Sequence, residues 1–181
     1  NQFVSLADDH CDGWGIATCD SNNAQLYKEP VAATKSANFK TQLERYKSKA
    51  GLLHLRWATE GMPVNENNTH PFTHQDISFI HNGSITPPTA LDPLIDKKYL
   101  DMAKGTTDSE RYFLYLLTQI EKHGFIEGVI KGIKYIKENC NYSSINMMIT
   151  NKEYFVAACV YNQDKVPARF KDQKDYYHLK Y

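Results

Sequence analysis

Polar side chains that could do chemistry occur where predicted strands and helices begin or end. Arg56 and Thr59 follow a short apolar run, Asn82 and Gly83 follow the next one, and Asp108 precedes a helical pattern. An Arg side chain binds a carboxylate through two parallel hydrogen bonds, and an Asp carboxylate binds an ammonium group. An Asn side-chain amide and a Gly backbone N–H together stabilise negative charge that develops on an oxygen. This combination would hold a free amino acid by its head group and stabilise an oxyanion on its side chain.

Each of these residues also has an ordinary structural interpretation. Asn-Gly is a common hairpin-turn dipeptide because Gly tolerates positive φ, so Asn82 and Gly83 taken alone predict a turn. Asp108 taken alone is a favourable charge in the first turn of a helix, worth less than about 1 kcal/mol. Arg56 taken alone is a solvated strand end. The combination, and no single residue, points to a site for an amino acid.

The hydrophobic pattern predicts the elements that carry these residues. Apolar and polar residues alternate in two segments at the start of the chain, which predicts two strands. An amphipathic helix follows, then a buried strand that begins at Gly51, and then a loop rich in Gly, Pro, Asn and Thr. The predicted elements are strands 13–19 and 25–28 with a turn at 20–23, a helix within 37–49, a strand at 51–57 and a loop at 58–75.

The second part of the chain places two adjacent helices between strands. A strand at 77–81 ends at Asn82-Gly83, residues 87–93 are irregular, and Thr107-Asp108-Ser109-Glu110 has the form of a capping box at a helix start. A second helix is predicted from about 125 to 138, then a hairpin of strands 145–149 and 154–161, and a last strand at 176–181. Strands flanking consecutive helices predict a single α+β domain with antiparallel sheets.

Composition excludes several classes of partner. The chain has 181 residues, with 21 Lys and Arg against 21 Asp and Glu, so its formal net charge is zero. Because binding to nucleic acid or to an anionic membrane surface relies on excess positive charge, we expect neither partner. A helix that crosses a bilayer needs about 20 consecutive apolar residues, and no apolar run in this sequence approaches that length. The 4 cysteines include no Cys-x-x-Cys pair, so we expect a cytoplasmic protein without disulfides.

Five motifs in order carry a resemblance to a known family. Residues 3 to 120 resemble the class II glutamine amidotransferase domain, and most of all its stand-alone branch with the Asp-Gly-Trp-Gly signature. The resemblance implies a four-layer αββα sandwich of the N-terminal-nucleophile hydrolase type, with two antiparallel sheets. The motifs are Asp12-Gly13-Trp14-Gly15, His54-Leu55-Arg56-Trp57-Ala58-Thr59, Asn68-Thr69-His70-Pro71-Phe72, Phe79-Ile80-His81-Asn82-Gly83 and Gly105-Thr106-Thr107-Asp108-Ser109-Glu110.

The resemblance implies a reaction and a role for each candidate residue. A cysteine thiolate attacks the γ-carboxamide of glutamine or of another γ-glutamyl amide, ammonia leaves, and water releases glutamate from the thioester. Arg56 would bind the α-carboxylate and Asp108 the α-ammonium. Asn82 and Gly83 would form the oxyanion hole, and Trp57 and Thr59 would shape the pocket wall.

The position of the nucleophile departs from the family pattern. The family uses an N-terminal Cys, whereas residue 1 here is Asn. We expect the sequence to be a fragment, with the catalytic Cys and a first strand upstream of Asn1. The alternative is a non-catalytic subunit that binds glutamine or glutamate. Cys11 is not expected to serve as nucleophile, because it directly precedes the Asp-Gly-Trp-Gly motif, where the family does not place one.

No cofactor or metal is expected. His70 and His74 have the i, i+4 spacing of zinc ligands on a helix, but Pro71 between them argues against a helix. His54, His70 and His81 each neighbour a motif and are expected to be hydrogen-bonded or core groups. The expected ligand is a small molecule, glutamine or a γ-glutamyl compound. Since the chain has no Gly-rich phosphate loop, any acceptor for the ammonia would lie on a separate synthase subunit.

Overall fold

The computed structural model describes residues 5–19, 23–46 and 48–165. The chain forms two compact units. Of the described residues, the first unit comprises those up to Ile80 together with 104–107 and 149–155, and the second comprises 81–103, 108–148 and those from Val156 onward. The strands are β1 (Trp14–Thr18), β2 (Gln25–Glu29), β3 (Gly51–Leu55), β4 (Phe72–His74), β5 (Ile77–Thr86), β6 (Asn141–Thr150) and β7 (Phe155–Ala158), and the α-helices are α1 (Phe39–Arg45), α2 (Lys97–Leu100), α3 (Asp108–His123) and α4 (Phe125–Asn139).

The first sheet has β1 at its centre. Its strand order is β2-β1-β3, and both neighbours run antiparallel to β1, with Trp14 opposite Glu29 on one side and Leu55 on the other. All five residues of β1 are buried, as expected for a central strand covered on both faces. Trp14 is fully buried and meets Phe39 of α1 edge to face, with ring centroids 4.8 Å apart.

The second sheet has the order β4-β5-β6-β7. Strand β4 pairs antiparallel with β5, with Phe72 opposite Phe79 and His74 opposite Ile77. The α+β class with two antiparallel sheets, predicted from the sequence, is therefore confirmed.

Helices α3 and α4 follow one another directly, separated by Gly124 as predicted. Helix α3 buries Tyr112, Phe113, Leu116 and Leu117, whereas Ile120 is half-buried. Helix α3 begins at Asp108, as its first-turn sequence indicated. Among the described residues, no helix is both long and apolar enough to cross a bilayer.

Several predicted boundaries were wrong. Strand β5 does not end at Asn82-Gly83 but continues to Thr86, so the turn interpretation of this dipeptide is overturned. Strand β4 lies in the segment predicted to be a loop, and no element was predicted where helix α2 lies, because three and four residues are too few to show a period. Helix α1 is shorter than its predicted range. The strand predicted at 176–181 lies outside the described residues.

Glu29 at the end of β2 is a hub of hydrogen bonds beneath the Asp-Gly-Trp-Gly segment. Its carboxylate accepts from Trp14 Nε1 at 3.3 Å, Tyr27 OH at 2.5 Å and Asn38 Nδ2 at 2.6 Å, and also from the Ser36 hydroxyl. Burial acts to raise the pKa of Glu29, but these donors together outweigh it and hold the pKa below its usual value. The ionised carboxylate therefore stabilises the fold.

Replacing this carboxylate should flatten the pH dependence of stability. A depressed folded-state pKa contributes stability that is present above the ordinary Glu pKa of about 4.3 and is lost as pH falls through the folded value. We expect Glu29→Gln to lower the free energy of unfolding by about 1 kcal/mol at pH 7 and by less in acid. Urea unfolding from pH 3 to 7 measures this. The exposed Glu44→Gln is the control, and equal pH profiles for the two variants would contradict the assignment.

Asn68 organises the loop between β3 and β4. Its side chain is fully buried, and Nδ2 donates to Pro63 O at 3.1 Å and Thr106 Oγ1 at 3.2 Å, while Oδ1 accepts the Thr106 N–H at 2.9 Å. Its backbone N–H donates to Asn65 Oδ1 at 2.9 Å. A Cβ on Gly105 would lie 2.4 Å from Asn68 Oδ1, so only glycine allows this approach. One carboxamide thus joins the loop to the segment before α3.

Removing this carboxamide should cost more than removing one from an exposed turn. Asn68→Ala removes three hydrogen bonds made by a fully buried side chain, those to Pro63 O, to Thr106 Oγ1 and from the Thr106 N–H, so we expect a loss of about 2–3 kcal/mol in the free energy of unfolding. Asn151→Ala is the control, because Asn151 Oδ1 likewise accepts backbone N–H groups, those of Glu153 and Tyr154, but in an exposed turn. Urea unfolding compares the two variants. Equal losses would show that Asn68 is not an internal anchor.

Candidate active site

Arg56 lies in the first unit, directly after β3. Its backbone extends the pairing with β1, since Arg56 N–H donates to Gly13 O at 2.7 Å and Asp12 N–H donates to Arg56 O at 3.0 Å. The residue is only 4% exposed, and Nη2 donates to Pro63 O at 3.3 Å. Burial lowers the pKa of Arg56, opposed by the charge of Asp12. The guanidinium still carries its charge, because Arg is not deprotonated in proteins.

Asp12 was not singled out as a site residue, although it opens the Asp-Gly-Trp-Gly motif. Its Oδ2 accepts the Ala58 N–H at 2.8 Å, and its carbonyl accepts a long hydrogen bond of 3.4 Å from Arg56 Nη1. Asp12 therefore fixes both ends of the Arg56–Ala58 segment. The sequence does not show that Asp12 lies beside Arg56, because the two residues are 44 positions apart in the chain.

Trp57 and Thr59 belong to the same loop as Arg56. Trp57 is 39% exposed and meets His10 edge to face, with ring centroids 5.4 Å apart. Thr59 is exposed, and its carbonyl accepts the Met62 N–H at 2.9 Å. Both residues are exposed, and their role as a pocket wall stays a prediction.

Asn82 and Gly83 lie in the second unit, in the middle of β5. Gly83 has φ of +140°, and a Cβ there would lie 1.9 Å from the Ser144 carbonyl oxygen. Only glycine fits this conformation and this close approach. The Ser144 hydroxyl donates to Asn82 O at 2.9 Å. Strand β6 therefore holds the Asn82–Gly83 peptide from one side.

Asp108 is joined to this strand by one hydrogen bond. Its Oδ2 accepts the Ile85 N–H at 2.7 Å, and the residue is 9% exposed. Its role as a ligand for an ammonium group stays a prediction. This hydrogen bond attaches Asp108 to the strand that contains Asn82 and Gly83. In the sequence, Asp108 is 25 positions from Gly83 and 26 from Asn82.

His81 is buried between the same strand and helix α3, consistent with its expected role as a hydrogen-bonded core group. Its Nε2 lies 3.2 Å from Ser144 O, which can only accept, so Nε2 carries the proton and Nδ1 accepts from Ser109 Oγ at 2.8 Å. Burial lowers the pKa of His81, opposed by the Asp108 charge and the Ser144 carbonyl. A neutral imidazole follows, which suits a structural bridge and not a proton carrier.

The six predicted site residues are distributed over both units. Asn82, Gly83 and Asp108 are brought together in the second unit, whereas Arg56, Trp57 and Thr59 lie in the first. In the second unit, the Asp108 carboxylate at the start of α3 is hydrogen-bonded to β5, the strand that carries Asn82 and Gly83.

Cys11, His70 and His74, all among the described residues, were considered as a nucleophile and as metal ligands. Cys11 is exposed, and the structure gives its thiol no hydrogen bond among the described residues, whereas reactive thiols are activated by a neighbouring base or cation. His70 lies in a loop and His74 on β4, not on one helix. Within the described ranges, no three His, Cys, Asp or Glu side chains are grouped as metal ligands would be.

Comparison with known proteins identifies the same family, and the match extends over most of the chain. The family model of class-II glutamine amidotransferases matches residues 2–169. An uncharacterised protein of Methanocaldococcus jannaschii is 31% identical over 165 residues, covering 87% of this chain and 45% of its own length. A Saccharomyces cerevisiae protein named probable glutamine amidotransferase DUG3 is 32% identical over 124 residues, covering 63% of this chain and 34% of its own length.

A third relative is a much longer protein whose name is that of an aminotransferase. The glutamine–fructose-6-phosphate aminotransferase of Francisella tularensis is 32% identical over 127 residues, covering 69% of this chain and 20% of its own length. The chain therefore spans less than half the length of each of these three relatives.

Solved structures show the same fold. A glutamine aminotransferase class-II domain protein from Silicibacter pomeroyi aligns over 80% of this chain and 68% of its own, with a TM-score of 0.64 and 22% identity. The glutamine phosphoribosylpyrophosphate amidotransferase from B. subtilis aligns over 86% of this chain and 33% of its own, with a TM-score of 0.58 and 19% identity. The fold is that of N-terminal-nucleophile amidotransferases. With the family model matching almost the whole sequence, the chain belongs to the class-II glutamine amidotransferases.

Proposed function

We propose that this protein cleaves the γ-carboxamide of glutamine, or of another γ-glutamyl amide, through a cysteine thioester. The observation that carries the proposal is the arrangement on β5, where the Asn82–Gly83 peptide lies two residues before the Ile85 N–H that Asp108 accepts at 2.7 Å. Groups that recognise an amino-acid ammonium and groups that stabilise an oxyanion are thereby fixed to one strand. The family membership supports the same reaction class.

The proposed reaction has two steps. In the first, the thiolate attacks the side-chain carbonyl carbon, and the resulting oxyanion accepts hydrogen bonds from Asn82 Nδ2 and the Gly83 N–H. Collapse of this intermediate breaks the C–N bond, and the nitrogen takes a proton and leaves as ammonia. In the second, water attacks the thioester and releases glutamate and the thiol. We place the nucleophile in a cysteine upstream of Asn1, so the experiments below use the product of the complete reading frame.

Head-group recognition is assigned to Arg56 and Asp108. Arg56 would bind the α-carboxylate through its guanidinium, which Asp12 and the Pro63 carbonyl hold in place. Asp108 would bind the α-ammonium through its second oxygen. Both groups select for a free amino-acid head and leave the substituent on the γ-nitrogen open, so glutamine and γ-glutamyl conjugates both fit. Trp57 and Thr59, exposed beside Arg56, would contact that substrate.

Ammonia released by this reaction requires an acceptor. The name of the Francisella tularensis relative describes transfer to fructose 6-phosphate, and this chain corresponds to only 20% of that protein. We propose that the acceptor site of the present protein is likewise outside this sequence, on a synthase subunit or domain. Glutamine binding and ammonia release can be measured without identifying it.

The oxyanion assignment is tested by Asn82→Ala. Because the Asn82 amide would bind the oxyanion and not the ground-state carbonyl, we expect kcat for glutamine to fall about 10²–10³-fold with little change in KM. Ammonia release measured at varied glutamine concentration gives both constants. The control is Asn139→Ala, since the Asn139 side chain donates to the Tyr135 carbonyl at the exposed end of α4. Glutaminase activity at the parental rate in Asn82→Ala would refute the assignment.

The head-group assignment is tested by Asp108→Asn. The variant keeps an oxygen for the Ile85 N–H but loses the charge that would attract an ammonium, so KM for glutamine should rise about 10- to 100-fold. Hydrolysis of 4-carbamoylbutyrate, which lacks the α-ammonium, should change little. The control is Asp101→Asn, whose carboxylate pairs with exposed Lys97. Equal losses on both substrates would mean that Asp108 does not bind the ammonium. Tight glutamine binding without any hydrolysis by the complete protein would favour a non-catalytic binding subunit.

A further inference from the structure

Ser144 of β6 contacts β5 at three consecutive residues, His81, Asn82 and Gly83, the last two of which are the proposed oxyanion hole. Its hydroxyl donates to Asn82 O at 2.9 Å, and its carbonyl accepts from His81 Nε2 at 3.2 Å. That same carbonyl oxygen occupies the place where a Cβ on Gly83 would project. Ser144 itself is only 2% exposed.

The hydroxyl contact determines where the Gly83 N–H points. The peptide bond between Asn82 and Gly83 is trans, and a trans peptide directs its C=O and N–H in opposite directions. Because the Ser144 hydroxyl holds the Asn82 carbonyl toward β6, the Gly83 N–H is directed away from β6. An N–H fixed in this direction is available to an oxyanion on the other side of the strand.

The neighbouring residues place Asp108 on that other side as well. The Ser84 N–H meets Ser143 Oγ of β6 at 3.1 Å, whereas the next N–H, that of Ile85, meets Asp108 Oδ2 at 2.7 Å. Backbone N–H groups alternate in direction along a strand, so residues 83 and 85 direct theirs alike. The proposed oxyanion donor and the proposed ammonium ligand are therefore on one side of β5.

We propose that Ser144 is a positioning residue for the oxyanion hole, acting through the orientation of the Asn82–Gly83 peptide. This inference rests on the proposed amidohydrolase function. Ordinary strand pairing does not account for it, because the hydroxyl of Ser144 bonds a backbone carbonyl that a ladder partner would otherwise contact. Loss of the hydroxyl would free the peptide to rotate, and the Gly83 N–H would lose its fixed direction.

The test compares Ser144→Ala with Ser143→Ala in the complete protein. Ser143 is the matched control, since it is the adjacent serine on β6 and bonds Ser84 instead of Asn82. We expect Ser144→Ala to lower kcat for glutamine about tenfold or more, less than outright loss of a donor, with KM little changed. The inhibition constant of L-norvaline, which has the amino-acid head group and no γ-carbonyl, should be unchanged.

Two further measurements separate positioning from general stability. Thermal unfolding of Ser144→Ala should match that of Ser143→Ala, and the NMR signal of the His81 Nε2–H should persist, because the Ser144 carbonyl remains. Ser144→Cys, which keeps a weaker donor of similar size, should give an intermediate kcat. This variant also serves if Ser144→Ala does not fold.

The outcomes distinguish this inference from the function on which it rests. If the unmodified complete protein hydrolyses no γ-glutamyl amide, the proposed function and this inference both fail. If it is active and Ser144→Ala matches Ser143→Ala in kcat, only the role of Ser144 fails. A parallel change in kcat, KM and L-norvaline inhibition would also overturn it, since that pattern indicates a general loss of structure.

Discussion

Strand β6 approaches β5 at Gly83 more closely than any side chain would permit. The Ser144 carbonyl occupies the position of the missing Cβ, and Gly83 has a positive φ that other residues rarely adopt. This approach fixes the peptide before Gly83, brings His81 onto the Ser144 carbonyl, and leaves the Ile85 N–H for Asp108. The features that make the second unit a candidate site all depend on this one close contact.

Preorganisation explains why so much of the hydrogen bonding is internal. Dipoles that are already aimed at a developing charge need no rearrangement during the reaction, and they are most effective where water is excluded. In the second unit, neutral His81 and Ser144 serve this purpose without adding charge. In the first unit, Asp12 and the Pro63 carbonyl orient the Arg56 guanidinium, and Asn68 holds the same carbonyl. These supporting residues bind no substrate in our proposal, yet they determine where the binding groups point.

The sequence predicted the long elements and the motif residues, but not the contacts between distant segments. Helices α3 and α4 show clear periodicity and were predicted closely, whereas β4 and α2 are too short to show any. Asn82-Gly83 was misleading on local grounds, since its turn preference is overridden by pairing with β6. The role of Ser144 was invisible for a related reason. Ser144 is 61 positions from Gly83 in the chain. Only the pairing of β5 with β6 brings the two together, and the pattern of a single sequence does not show which strands pair.

The most direct test of this account is a crystal structure of the complete protein with L-glutamate bound. The account predicts a γ-carboxylate oxygen at hydrogen-bond distance from Gly83 N, about 2.7–3.1 Å, on the side of β5 opposite to Ser144. It also predicts the α-ammonium on the second oxygen of Asp108. A Gly83 N–H directed toward β6, or an amino acid bound without contact to Asp108, would contradict it.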